Sequence, residues 1–313
     1  MRVLRGLAAG GLLFGHNLVA AAAVDSGWVA IFNGKDLSGT YTFLTDQGYG
    51  RDPNGVFSVR DSLIHALPSG RGHLGYANTR INFHARVSWR FGPAGTSHNA
   101  GLMYHVDENA PKRNAQYPRS IECQMAETRA GELWTISGVW ARTTIDPRTT
   151  AVNARYLEPG KGGIPLVQGE PDRRISLQSP LEKLGGWNTL EIIVLGDSVV
   201  HKVNGMVALR AGGMRAPDST APTEYAKGKP FIGGNLALQA EGQEVYYRKW
   251  EIRTVNPDGS IPVNPTAVLA GKSRKDETDI RGRGLLGTGG SRWMPDGRRA
   301  KASHLKEPGR IFP

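Results

Sequence analysis

Residues 189–209, TLEIIVLGDSVVHKVNGMVAL, carry the pattern that decides the fold. Gly196 and Asp197 separate two runs rich in β-branched residues, and Asn204-Gly205 closes the second run. An Asn-Gly pair favours a tight two-residue turn because both residues tolerate positive φ. The stretch therefore predicts two consecutive β-hairpins.

A second stretch, FHARVSWRF at residues 83–91, alternates strictly between apolar and polar side chains. Side chains alternate between the two faces of a strand, so one face of this segment is expected in a core and the other in water. Similar short runs recur from residue 24 to 255 without long helical periods, which favours an all-β sandwich or barrel. The ten candidate strands suggest two packed sheets and cover residues 28–32, 55–60, 62–67, 83–91, 100–106, 120–126, 189–197, 198–204, 236–240 and 245–252. Residues 132–140, ELWTISGVW, form a further candidate strand, whereas 107–119 and 143–180 are expected to be loops bordering a cleft.

The amino-terminal residues have the features of a secretory signal peptide. Arg2 and Arg5 precede a short apolar stretch that ends in the small-residue run Ala20 to Ala23. We expect residues 1–23 to be removed and the mature protein to be periplasmic or secreted. The apolar stretch is broken by glycines and is shorter than the roughly 20 residues of a membrane span, so no span is expected.

The carboxy-terminal residues 256–313 form a basic, low-complexity segment rich in Gly, Arg, Lys and Pro. Such a composition predicts a disordered tail, and much of the formal net charge of +11 lies in it. An electrostatic contact with an anionic surface is one role open to this tail. Zinc-finger, helix-turn-helix and RNA-binding signatures do not accompany the charge, so nucleic acid is not an expected partner.

The remaining segment, residues 24–255, is predicted to be one domain. Its one cysteine, Cys123, has no partner for an internal disulfide, so an exported protein of this kind must be stabilised by its apolar core.

Five ordered sequence blocks resemble the 3-keto-disaccharide hydrolase family. They are WVAIFNGKDLSGTYTF (28–43), HNAGLMYHV (98–106), YPRSIECQMAE (117–127), GWNTLEIIVLGDSVVHKVNG (186–205) and LALQAEGQEVYYRKWEI (236–252). The resemblance implies a concanavalin-like antiparallel jelly-roll sandwich and hydrolysis of glycosides whose sugar carries a ketone at C3. It also implies a sugar 3-dehydrogenase that supplies the ketone. Many members have Arg where His105 stands and Asn where Lys249 stands, and the first difference puts a pocket contact in doubt.

The chemistry of a 3-keto sugar defines the groups that a site needs. The ketone acidifies the hydrogen on C2, and loss of that proton allows the glycosidic bond at C1 to break by elimination. A general base, donors to the enolate oxygen and a proton source for the leaving oxygen are required. Glu122 is the predicted base, because it shares a strand face with Gln124 on the side away from Ile121 and Cys123.

The other predicted site residues come from neighbouring blocks. His105 is a candidate acid or base, since imidazole titrates near neutral pH. Asn99, Tyr104, Gln124, Trp140, Gln239 and Glu241 are the candidate substrate-binding residues. Trp140 is included because aromatic rings stack on sugars, although two tryptophans of equal parity, Trp134 and Trp140, are more often core. Arg248 shares its parity with Tyr246, Trp250 and Ile252 and is predicted to be a buried, paired residue.

Three other functions remain open at this stage. Glu122 and Glu127 resemble the paired carboxylates of retaining glucanases, although Gln124 replaces the central Asp of that pattern. A sugar-binding module without catalysis and a structural envelope protein are the further alternatives. The sequence shows no phosphate-binding loop or dinucleotide fingerprint and its histidines are scattered, so no cofactor or metal is predicted, with calcium left open.

Overall fold

The structure is a computed structural model that describes residues 27–95, 98–110, 117–168, 173–217 and 228–262. The expected signal peptide and all but the first seven residues of the expected tail lie outside these ranges.

The described residues form strands with one short 3₁₀ turn at Pro159–Lys161. In chain order the strands are β1 (Val29–Ala30), β2 (Tyr41–Leu44), β3 (Gly48–Tyr49), β4 (Phe57–Arg60), β5 (Leu63–Ala66), β6 (Arg71–Tyr76), β7 (Asn82–Gly95), β8 (Gly101–Asp107), β9 (Arg119–Gln124), β10 (Leu133–Ile136), β11 (Trp140–Ile145), β12 (Ile164–Gln168), β13 (Arg173–Ile175), β14 (Asn188–Leu195), β15 (Ser198–Val203), β16 (Met206–Ala216), β17 (Lys229–Pro230), β18 (Asn235–Glu241) and β19 (Gln243–Thr254).

These strands make two antiparallel sheets. Sheet I has the order β12-β11-β16-β15-β14-β7-β19-β5-β4, with β1 beside β19 and β17 beside β16. Sheet II has the order β13-β10-β9-β8-β18-β6-β2-β3. The predicted fold class, an all-β two-sheet jelly-roll sandwich, is confirmed.

The core lies between the two sheets and is built by the predicted alternation. From sheet I, Phe83, Val87 and Trp89 are at most 1% exposed, and from sheet II Leu102 and Ile121 are fully buried. Each such side chain stabilises the fold by about 1.5–3 kcal/mol through apolar burial. Cys123 is also buried in this core as a free thiol.

The two predicted hairpins are confirmed at the expected turns. β14 pairs with β15 around Gly196 and Asp197, and β15 pairs with β16 around Asn204 and Gly205. Asn204 and Gly205 both have positive φ, 51° and 81°, as a tight Asn-Gly turn requires.

All ten predicted strands are present with shifted ends, but several others were missed. The expected loop at 143–180 contains β12 and β13, and ELWTISGVW splits into β10 of sheet II and β11 of sheet I. β6 was missed because Gly72 and Gly75 weaken its strand signal. Gly75 is required because the Tyr41 ring lies where its side chain would be.

The outward face of β7 is less exposed to solvent than predicted. His84 is 6% exposed because the Trp28 ring lies over it, with ring centroids 4.8 Å apart. Arg86 in turn stacks on Trp28 at 4.0 Å.

The predicted parity of Arg248 with Trp250 and Ile252 is wrong because a β-bulge changes the parity of β19. Lys249 has a φ of 52°, and the pairing with β7 shifts between Arg248 and Glu251. The bulge sends Tyr247 and Trp250 into the core, whereas Arg248 is half-buried and stacks on Trp187 at 4.0 Å.

No helix in the described part of the chain has the length and apolar character needed to cross a membrane.

Candidate active site

The candidate site lies on the outer face of sheet II, the face turned away from the core. Strand register places Met103 beside Glu122 and Glu122 beside Trp134. On the other side, Gln239 of β18 lies beside His73 of β6. Polar and aromatic side chains of β10, β9, β18 and β6 therefore lie on one sheet face, with Met103 of β8 between them.

Glu122 and Gln239 reach towards each other across Gly101. The Nε2 of Gln239 donates a hydrogen bond of 3.1 Å to Oε2 of Glu122. A Cβ on Gly101 would overlap Oε1 of Glu122 and lie 2.6 Å from Oε1 of Gln239. The absence of a side chain at Gly101 is what allows the carboxyl and the amide to meet.

A second carboxylate, Glu241, lies at the end of β18. The Nδ2 of Asn99 donates a short hydrogen bond to its Oε2. Tyr117 contacts the same region by donating from its hydroxyl to the carbonyl of Ala240 at 3.2 Å. Glu241 is therefore held by polar groups on segments that precede β8 and β9.

Burial and mutual repulsion make this pair of carboxyls hard to ionise. The pKa of Glu122 is raised well above its usual range, first by burial and then by the charge of Glu241. Burial likewise raises the pKa of Glu241. Arg129 opposes both shifts through its positive charge. Both carboxyls therefore hold a proton more readily than an exposed glutamate does.

Several buried polar atoms of this face have no hydrogen-bond partner within the described residues. Three are acceptors, Oε1 of Glu122, Oε1 of Gln239 and Oδ1 of Asn99, and one is a donor, Nε1 of Trp134. Leaving such an atom unpaired costs about 1–3 kcal/mol. A ligand that carries hydroxyl groups and an acceptor oxygen would satisfy all four.

Four of the predicted site residues are brought together here: Glu122, Gln239, Glu241 and Asn99. Gln124 shares the sheet face, but its Oε1 accepts the backbone N–H groups of Met125 and Ala126 at 2.9 and 3.0 Å. Gln124 therefore fixes the turn after β9.

The predicted positions of Tyr104 and His105 need correction, because both side chains enter the core. The Tyr104 hydroxyl lies 3.0 Å from Nε2 of His201 in sheet I. His105 has a φ of 50° in an irregular stretch of β8, and its ring packs edge-on against Phe231. Burial lowers the pKa of His105 to about 4, and the nearby backbone of Gly233 raises it only in part. We assign neither residue a role in the site.

Trp140 also lies away from Glu122, in sheet I, and Trp134 takes the position next to the carboxyl. The prediction missed Trp134, Arg129 and Gly101. The sequence offers Trp134 only as one of two tryptophans of equal parity, because parity does not show that Trp134 lies in sheet II and Trp140 in sheet I. The tight turn after Ala126, where the N–H of Arg129 bonds to the Ala126 carbonyl at 2.9 Å, returns Arg129 to this face.

Glu127, the partner of Glu122 in the glucanase alternative, lies elsewhere. It forms a 2.6 Å pair with Nδ1 of His98. Both side chains line a cavity of about 400 Å³ at the end of the sandwich, together with Trp89 and Phe91. The His–Glu pair of this cavity is over a third exposed and already partnered. We therefore place the site on sheet II.

Among the described residues, no group of three or more His, Cys, Asp or Glu side chains is arranged to hold a metal ion.

Comparison with known proteins identifies one family whose description names an activity. The sequence profile of the 3-keto-alpha-glucoside-1,2-lyase-like domain matches residues 27–253. No curated protein matches the chain.

Three solved structures illustrate the wider similarity. Two are described as a "putative glycosyl hydrolase" from Parabacteroides distasonis. One is 19% identical, covers 74% of this chain and 94% of its own, and has a TM-score of 0.45. The other is 17% identical, with coverages of 73% and 99% and a TM-score of 0.40. A Bacillus subtilis protein of unknown function with a galectin-like fold is 12% identical, with coverages of 62% and 83% and a TM-score of 0.32. Similarity at this level carries no functional inference.

The profile spans the whole sandwich and contains the Glu122, Gln239 and Asn99 segments. The chain therefore belongs to the 3-keto-alpha-glucoside-1,2-lyase-like domain family.

Proposed function

We propose that this protein cleaves 3-keto-glycosides, with Glu122 as the residue that removes the proton from C2. One observation carries the proposal: Glu122 is a buried carboxyl with an unpartnered oxygen, held by Gln239 on a sheet face with other unpartnered acceptors. The family name, which describes a lyase acting across positions 1 and 2 of a 3-keto-alpha-glucoside, supports it.

A raised pKa suits Glu122 for this task. A carboxylate of ordinary pKa is a weak base, and its basicity increases as its pKa approaches the working pH. Burial and Glu241 together shift Glu122 in that direction. Once ionised, Glu122 can take the C2 proton, and the electron pair left on carbon passes into the C3 carbonyl as an enolate.

The enolate oxygen needs hydrogen-bond donors, and the site offers two. The Trp134 side chain adjoins Glu122 and has an unpartnered indole N–H. Arg129 supplies a positive charge close to both carboxyls. Donors placed where charge develops typically contribute about 10²–10³ in rate. Expulsion of the C1 oxygen from the enolate breaks the glycosidic bond, and addition of water to the resulting enone completes hydrolysis.

The test compares a 3-keto glucoside with its unoxidised parent, using wild type, Glu122→Gln and Glu127→Gln. We expect release of the aglycone from the keto substrate alone, and a loss of at least about 10³-fold in kcat/KM for Glu122→Gln. Glu127→Gln is the matched control, since it makes the same change five residues away in the other cavity. Its activity should equal that of wild type.

Other results would identify the alternatives. Release from the unoxidised parent, lost in both variants, would favour a two-carboxylate glycosidase. Binding of the keto sugar without release by wild type would indicate a binding module. Detection of the enone instead of the free 3-keto sugar would show that the reaction stops at elimination.

The proposal extends to the place of the protein in the cell. A 3-keto substrate must be produced by a sugar 3-dehydrogenase, and we propose that both act outside the cytoplasm after removal of residues 1–23. Sequencing of the amino terminus of the mature protein tests the cleavage. We propose only an electrostatic contact with an anionic surface for the basic tail, residues 256–313. Deletion of these residues should weaken binding to such a surface and leave turnover unchanged.

A further inference from the structure

A second polar cluster lies next to Glu122 and Gln239 on the outer face of sheet II. Its centre is Glu108, which directly follows β8. Oε1 of Glu108 lies 2.7 Å from Nε2 of His73 and accepts the hydroxyl of Tyr41 at 2.9 Å, and Oε2 accepts the hydroxyl of Tyr49. Asn235 donates to the Tyr41 hydroxyl at 2.9 Å.

His73 is the member of this cluster that has unused hydrogen-bonding capacity. Its side chain is fully buried, and its Nδ1 has no partner within the described residues. The ring is fixed by stacking on Phe43, with centroids 5.3 Å apart, and by the bond from Nε2 to Glu108. With Nε2–H donating to Glu108, Nδ1 is the ring atom left to bond a ligand.

The position of His73 relative to Glu122 is set by strand pairing. His73 lies beside Gln239, and the Gln239 amide binds Glu122. The backbones of Glu122 and His73 are three strands apart, about 14 Å, and Gln239 lies between them. A sugar ring bound over Gln239 would lie between the two groups.

We propose that His73, oriented by Glu108, is a second catalytic residue that exchanges its Nδ1 proton with the leaving oxygen. The inference rests on the proposed function, which needs a proton source for that oxygen. Glu108 is a suitable orienting group because three hydrogen bonds keep it ionised. Burial, the largest single effect, raises its pKa, but the bonds from His73, Tyr49 and Tyr41 together lower it below the usual range.

Glu122 and His73 then pass through one catalytic cycle in which every proton they give or take is returned. Glu122 takes the C2 proton, the C1–C2 double bond forms, the C1–O bond breaks, and the leaving oxygen takes the proton of His73 Nδ1. In the second half, Nδ1 takes a proton from water while the water oxygen bonds to C1. Glu122 returns its proton to C2, so both residues regain their starting states.

The test uses two 3-keto glucosides that differ in leaving group, a 4-nitrophenyl glucoside and a methyl glucoside. Methoxide needs protonation to leave, whereas 4-nitrophenolate does not. His73→Asn should lower kcat/KM for the methyl substrate by about 10²–10⁴-fold and for the 4-nitrophenyl substrate by less than about threefold. Equal losses on the two substrates would overturn the inference, because a purely structural role does not distinguish leaving groups.

Matched variants separate this proposal from the proposed function. His65→Asn changes a similar buried His–Glu pair on sheet I, Nε2 of His65 lying 2.7 Å from Glu244, and should leave both substrates unaffected. Glu122→Gln should lower both substrates alike. If wild type turns over neither substrate, the proposed function fails and the inference fails with it.

A measurement on wild type keeps the proposal testable if His73→Asn does not fold. In D₂O the kcat/KM for the methyl substrate should fall by about two- to threefold relative to H₂O, because the proton on Nδ1 exchanges with solvent and moves as the C1–O bond breaks. The 4-nitrophenyl substrate needs no such proton and should show a solvent isotope effect close to one. Equal solvent isotope effects on the two substrates would refute the role of His73.

Discussion

The two sheets carry nearly the same His–Glu–Tyr cluster in different surroundings. On sheet I, Glu244 accepts from His65 at 2.7 Å and from Tyr246 at 2.8 Å, much as Glu108 of sheet II binds His73 and two tyrosines. The second oxygen of Glu244 accepts the backbone N–H of Ala94 at 3.1 Å. The sheet I cluster therefore ties the end of β7 in place.

The surroundings decide what such a cluster does. The ring of Tyr246 covers His65, with centroids 4.6 Å apart. His73 instead adjoins Gln239 and, through it, Glu122, and each of these two residues has one oxygen, Oε1, without a hydrogen-bond partner within the described residues. Residue type and hydrogen-bond pattern alone do not distinguish a structural cluster from a chemical one, whereas the number of unsatisfied neighbours does.

The largest expected difference comes from one methyl group added beside each glutamate. Gly101 lies under Glu122 and Gly92 lies under Glu244, and a Cβ on either glycine would overlap the carboxyl. Gly101→Ala should displace Glu122 and lower kcat/KM by about 10²-fold, since a shift near 1 Å costs that much. Gly92→Ala should lower the melting temperature and leave kcat/KM unchanged. Assays and thermal melts of both variants check this, and equal activities would break the distinction between the sheets.

An intermediate effect is expected for the hydrogen bond that crosses the core between the sheets. Tyr104→Phe leaves Nε2 of His201 without its 3.0 Å partner, which should lower the free energy of unfolding by about 1–3 kcal/mol. Denaturant unfolding measures the change, with Tyr246→Phe at the surface as the milder control. Because Tyr104 lies in the core, kcat/KM should stay at the wild-type value, and a raised KM would restore its predicted role in substrate binding.

The smallest expected effects are pH-dependent changes in melting temperature, and they have opposite signs for Glu122 of sheet II and Glu244 of sheet I. The pKa of Glu122 is raised in the folded state by burial, so the folded protein holds a proton that the unfolded chain loses. Stability from this group is present at low pH and declines as pH rises above the ordinary Glu value. Glu122→Gln removes the cost of ionising a buried carboxyl. It should therefore raise the melting temperature at pH 8 by about 2–4 °C, with little change at pH 4.

Glu244→Gln should do the reverse. Burial raises the pKa of Glu244, but the bonds from His65, Tyr246 and Ala94 outweigh it and lower the pKa. Its contribution is present above the ordinary Glu pKa and is lost as pH falls. The variant should therefore be less stable than wild type at pH 8 and differ little from it at acidic pH. Melting curves at the two pH values measure both variants, and changes of the same sign would contradict the assignment.

Much of the fold follows from local sequence. The alternation in FHARVSWRF and the Asn-Gly turn after Val203 determine strands and hairpins through backbone geometry that involves only neighbouring residues. The same alternation placed Glu122 on the face away from Ile121, and the structure agrees. The glycine-containing strand β6 could not be predicted in this way, because its glycines are needed by Tyr41 and Phe43 from another strand.

The predictions for His105 and Arg248 failed where the strand ladder is interrupted. Irregular pairing in β8 turns His105 into the core, and the bulge at Lys249 takes Arg248 out of parity with Trp250. Positive φ at these two residues marks the interruptions, and neither is the glycine or asparagine that usually signals such a conformation.

By itself, then, the sequence determined the sandwich, its hairpins, the family and the sheet face on which Glu122 lies, because each depends on local periodicity or on a linear motif. Only the tertiary structure decided which groups surround that carboxyl. Strand pairing places Trp134 and Gly101 beside Glu122 and places His73 beside Gln239, although these segments are distant in the chain. Register between such strands is set by packing of the whole core, which no short stretch of sequence contains.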